Sequence, residues 1–184
     1  MQFLKEAAKE SIFARAEARY FLGNISLNYE EDYKEATRHL EQLYNTYPHN
    51  NYYARILARS YYRMDRFDEA LHHIDKSLER WQQKGLNHQS VLKEELLTWK
   101  GRIYFRRFQY REAATTLQQA FEAGAELTTP EERSQHVIAG YFLGRSLLQL
   151  DNKEEARHYL QAITDMEAQE NYRDHAEQLL NEHF

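Results

Sequence analysis

Apolar residues recur at intervals of three and four along most of the chain, and the interruptions fall at regular places. The stretch 52–81 shows the unit. Ile56, Leu57, Tyr61 and Met64 share one helical face, and Phe67, Ala70, Leu71, Ile74 and Leu78 share another. Met64-Asp65-Arg66 between them leaves room only for a tight turn. The pattern predicts two antiparallel helices. One hairpin cannot bury its own apolar face, so it requires neighbours of the same kind.

The chain supplies them. It aligns with itself four times on a small residue in the first helix (Gly23, Ala58, Gly101, Gly144) and on the alanine of a Glu-Ala pair in the second (Ala36, Ala70, Ala113, Ala156). The steps between the alanines are 34, 43 and 43 residues. Tyr33, Phe67 and Tyr110 stand three residues before an alanine, and Leu40, Ile74, Leu117 and Leu160 stand four after. Over residues 16–163 this resembles the tetratricopeptide repeat, with its period of about 34 residues and its W-x2-L-G-x2-Y…A…F…P pattern. Leu22-Gly23 and Leu143-Gly144 keep the Leu-Gly pair, Tyr61 and Tyr104 the following Tyr, and Pro48 the terminal Pro. Lys100 and Lys153 depart from the pattern, and the first turn carries one extra residue.

The resemblance implies an all-α, right-handed solenoid of about four helical hairpins in a single domain, 1–184. The hairpins are expected near 3–48, 50–84, 88–124 and 129–167, with a capping helix at 171–183 whose outer side is polar. Gly85 and Gly124 are expected to stop helices. Thr129 is expected to cap the next helix, with Pro130 as its first residue and Glu132 as reciprocal partner. Carboxylates such as Glu30-Glu31-Asp32 and Glu154-Glu155 belong at helix starts, where negative charge suits the dipole. The extra residues at 82–90 and 124–132 read as spacing between hairpins.

Composition narrows the function classes. There are 184 residues, two prolines, six glycines and no cysteine, which suits long helices and excludes disulfides and thiolate metal sites. A net charge of −5 disfavours nucleic acid as partner. No apolar run reaches membrane-spanning length, and the first residues are amphipathic and charged, unlike a signal peptide. A cytoplasmic location is expected, although an exported chain trimmed of its signal would have the same composition. No glycine-rich phosphate loop, H-E-x-x-H or serine elbow occurs, so no enzyme activity and no cofactor are expected. Asp65, Asp68, His72 and Asp75 share a helix face, but a straight helix spreads them over roughly 15 Å. They read as a solvated face, and no metal site is expected.

One constellation remains. Stepping from each small residue by one gives Asn24, Arg59, Arg102 and Arg145, and by five gives Asn28, Arg63, Arg106 and Gln149. Stepping back by three gives Tyr20, Arg55, Thr98 and Tyr141, and Tyr62 and Phe105 lie alongside. Offsets differing by four line one helix face. In the family this chain resembles, the first helices line a concave groove that binds peptides or partner helices. The groove implied here comprises Tyr20, Asn24, Asn28, Arg55, Arg59, Tyr62, Arg63, Arg102, Phe105, Arg106, Tyr141 and Arg145. Arginine's planar fork suits carboxylates, so the expected partner is an acidic protein or peptide segment with an apolar anchor resting on Tyr62 or Phe105. Of the family's lysine-and-asparagine carboxylate clamp only Asn24 matches, so that specificity is not carried over. The alternative is a structural module that self-assembles into a homo-oligomer or joins a larger assembly.

Overall fold

The computed structural model describes residues 12–84, 90–127, 129 and 133–184. Within these residues the chain is helix and turn. The helices are α1 (Ile12–Asn28), α2 (Tyr33–Thr46), α3 (Asn51–Arg63), α4 (Phe67–Lys84), α5 (Ser90–Arg106), α6 (Tyr110–Ala125), α7 (Ser134–Gln149), α8 (Lys153–Thr164) and α9 (Glu170–His183). The expected starts at residues 3 and 88, the Gly85 cap and Pro130 to Glu132 lie outside the described residues. The fold is an all-α helical repeat, as the periodicity requires. It forms two compact units, residues 1–80 and 81–184.

The register that aligned the sequence also governs the packing. A Cβ on Gly23, Gly101 or Gly144 would sit 2.8, 2.4 or 2.6 Å from a side-chain carbon of Leu40, Leu117 or Leu160. In these three hairpins the leucine four residues beyond the alanine therefore fills the place where a first-helix side chain would be. Ala36, Ala70, Ala113 and Ala156 are completely buried, which lets the paired helices approach closely.

The turns repeat too. Glu31, Asp65, Phe108 and Asp151 adopt φ of 53°, 58°, 60° and 58°, each five residues before its alanine. Asp65, Phe108 and Asp151 close the preceding helix in the same way. Asp65 N–H donates to Tyr62 O and Arg66 N–H to Tyr61 O; the later turns repeat this from Phe108 to Phe105 O with Gln109 to Tyr104 O, and from Asp151 to Leu148 O with Asn152 to Leu147 O. This left-handed closure satisfies the last carbonyls of the helix. It costs about 1–2 kcal/mol for a residue with a Cβ.

Local capping is partly as expected. Asp32 accepts from Glu35 N–H at 3.0 Å, starting α2. Two expectations are corrected. Thr129 does not cap α7: it has φ 51°, and the helix starts at Ser134 with Arg133 in the cap position. Gly124 does not end α6 either. It is buried inside a helix that runs to Ala125, because only a residue without a Cβ fits against Glu94 and His136.

In the second unit α9 closes the stack. Ala176 is completely buried, and Tyr172, Leu179 and Leu180 pack against a core containing Val137, Tyr141, Leu160 and Ile163.

Candidate functional site

In the second unit the first helices of two successive hairpins, α5 and α7, lie side by side. Their facing arginines and aromatics interleave. The guanidinium carbon of Arg102 is 4.5 Å from the Trp99 ring centroid and 5.1 Å from that of Phe142. Arg145 is 4.8 Å from Phe105, 5.5 Å from Tyr141 and 6.0 Å from Phe142. Phe105 and Phe142 meet edge to face at 5.3 Å, and Tyr141 meets Tyr172 of α9 at 5.1 Å. The result is a half-buried ladder of cations on π faces.

Such contacts hold a cation by the ring quadrupole without cancelling its charge. No carboxylate pairs with Arg145 among the described residues. Four of the sequence-predicted residues, Arg102, Phe105, Tyr141 and Arg145, are thus brought together. Arg106, one turn further, is exposed at the end of α5. Arg102 is half-buried between rings rather than facing solvent. Sequence reasoning missed Trp99 and Phe142. Each stands three residues before an arginine, a spacing that puts both on one helix face and would have found them.

The first unit places its residues differently. Asn24 donates to Tyr20 O at 2.8 Å and Asn28 to Asn24 O at 2.9 Å, so both amides turn back onto α1. The Tyr20 ring lies 6.2 Å from that of Tyr53. Arg55 lies over Tyr52 at 5.5 Å, and Arg59 is half-buried. Arg63 donates to the Tyr33 hydroxyl and is 3.7 Å from Glu31. Tyr62, expected to be an anchor, is 7% exposed and packs against Phe67. A cleft lined by Glu31, Tyr33, Arg38, Met64 and Arg66 mixes both charge signs, and its Arg38 and Arg66 are already paired with Glu35 and Glu69. The Arg38 contact holds the Glu35 carboxyl at about 2.

A second polar cluster lies inside the second unit. Glu94 of α5 is 0% exposed, and its Oε2 accepts from Arg133. Burial raises the Glu94 pKa, and the Arg133 hydrogen bond opposes the rise. His136 is 2% exposed and stacks on Phe121 at 4.0 Å; burial, then the Arg133 charge, lowers its pKa to about 4. Among the described residues Glu94 Oε1 and His136 Nδ1 have no hydrogen-bond partner. Both face the space over Gly124, where a Cβ would meet them at 2.5 and 2.4 Å. The enclosed position marks this cluster as structural.

Two tetratricopeptide-repeat family models match the chain, one over residues 50–126 and the other over residues 100–173. No curated protein matches. Among solved structures, the chain is similar to NprR in the crystal structure of its complex with its cognate peptide NprX, at 16% identity and a TM-score of 0.42. That alignment covers 98% of this chain and 63% of the NprR chain.

Proposed function

This chain belongs to the tetratricopeptide-repeat family, and from that premise we propose that it is a non-enzymatic interaction scaffold holding an acidic segment of a partner protein. The segment lies along α5 and α7 of the second unit and meets Arg102 and Arg145 there. Its apolar anchor rests on Phe105 rather than on Tyr62, which is buried.

The observation that carries this reading is Arg145, a guanidinium held on Phe105 and Tyr141 with no described carboxylate to pair it. A cation so placed keeps its donors' preference for carboxylates. It does so in a chain of net charge −5, where positive potential is local. The test is selection from a random-peptide display library on the whole protein. The expected consensus contains Asp or Glu, or a terminal carboxylate, beside an aliphatic or aromatic residue. Arg145→Glu should lower the affinity of that peptide at least about tenfold, or 1.4 kcal/mol. A neutral or basic consensus would contradict the proposal.

A further inference from the structure

The four hairpin turns share a left-handed residue but not a chemistry. At the left-handed position three of them carry Glu31, Asp65 or Asp151, and the fourth carries Phe108. A left-handed φ is tolerated by Asp and Asn and is costly for a bulky side chain. Phe108 is nevertheless 77% exposed, so folding recovers little of that cost by burying the ring. Charge follows the same division. Arg106, Arg107 and Arg111 give window 106–111 a charge of +3. The matching windows 29–34, 63–68 and 149–154 carry −2 (Glu30, Glu31, Asp32, Lys34), 0 (Arg63, Asp65, Arg66, Asp68) and −1 (Asp151, Lys153, Glu154).

Ring contacts join this turn to the face between α5 and α7. Phe108 lies 6.2 Å from Tyr110, Tyr110 lies 5.5 Å from Phe105, and Phe105 lies 5.3 Å from Phe142. Arg145 sits over Phe105 at the inner end of that series.

We infer that the α5–α6 turn is a second docking point for the same acidic segment, with Phe108 gripping an apolar side chain of the partner as the chain leaves the face. The inference rests on the acidic-segment reading of that face. The occupant is an extended, acidic protein segment with two apolar residues, one for Phe105 and one for Phe108. A basic turn bearing an exposed aromatic also suits an anionic lipid surface. Continuity with the aromatic face favours the peptide.

Phe108→Asn is the test, because Asn tolerates the left-handed backbone and adds no charge. The library-selected peptide is titrated by fluorescence anisotropy into the wild type, Phe108→Asn and Arg145→Glu. The inference expects Phe108→Asn to bind at least about tenfold more weakly, with a melting temperature unchanged or raised. Unchanged binding by Phe108→Asn, with Arg145→Glu impaired, overturns this inference and leaves the face reading standing. Unchanged binding by Arg145→Glu, or a library that yields no peptide, overturns both. A lowered melting temperature in Phe108→Asn would show that the ring is architectural. Cosedimentation with phosphatidylcholine–phosphatidylserine vesicles of about 3:1 that disappears in Phe108→Asn would overturn the peptide assignment in favour of a membrane.

Discussion

The two units use one repeat but differ in what accompanies the ring contacts of their arginines. In the first, Arg38 pairs with Glu35, Arg66 with Glu69, and Arg63 with Tyr33 and Glu31. In the second, Arg102 and Arg145 lie over Trp99, Phe105, Tyr141 and Phe142, while the ion pair of Arg133 is sunk in the core against Glu94. Ion pairs consume positive charge, whereas ring contacts orient it and leave it to be met by something else. Ring contacts occur in the first unit too, Arg63 over Tyr33 at 4.8 Å and Arg66 over Tyr61 at 4.7 Å, but there they accompany ion pairs, whereas Arg145 has its ring contacts and no carboxylate partner among the described residues.

The largest effect should come from the buried pair. Arg133→Ala strands the Glu94 carboxylate and should destabilise the protein by about 3–5 kcal/mol, whereas Arg63→Ala, at an exposed pair, should cost less than about 1 kcal/mol. Urea unfolding measures both, and equal losses would break the distinction between buried and exposed pairing.

Next comes pH. Burial lowers His73 in the first unit and His136 in the second to about 4, below the ordinary 6.5. The unfolded chain takes up those protons near pH 6.5 and the folded chain refuses them until about 4. Stability is therefore complete above pH 6.5 and falls as pH drops through that window. For His136, 2% exposed, the loss is on the order of 3 kcal/mol. Glu94 acts in the opposite sense, since its raised pKa favours the folded state as the carboxyl takes up its proton. His136→Gln should flatten the melting-temperature profile between pH 6.5 and 4. An unaltered profile in His136→Gln would remove its assigned role.

Overpacking should strike both units alike. Ala70→Leu and Ala113→Leu, each at a fully buried position, should cost about 1–3 kcal/mol by thermal unfolding. At the small end, Arg102→Ala should cost about 0.5–2 kcal/mol through its lost ring contacts. Exposed Gln161→Ala should stay within about 0.5 kcal/mol.

Most of the fold was legible because it is local and repeated. The alignment singled out Gly23, Gly101 and Gly144 and also Leu40, Leu117 and Leu160, which the structure brings into contact, and the turns fall where expected. The start of α7 was not legible. Thr129 has the side chain of a cap, but the backbone there is left-handed and the helix begins at Ser134. The Glu94–Arg133 pair was invisible for another reason: its partners are 39 residues apart and sit in no repeated offset. Of the candidate face, the arginine register was readable. Its burial was not, because Trp99 and Phe142 determine it from offsets outside the one used to find the arginines. Tyr62 shows the converse, an aromatic at a groove offset that is buried within its own unit.

The central claim is that Arg145 meets a carboxylate of the bound segment, and a charge-swap cycle tests it most directly. The library-selected acidic peptide and a version with its acidic residues changed to lysine are each titrated into wild type and Arg145→Glu. The account predicts that Arg145→Glu weakens the acidic peptide at least about tenfold and binds the lysine version better than the wild type does, a coupling of 1.4 kcal/mol or more that shrinks in high salt. Additive effects with no rescue by the lysine peptide would contradict it.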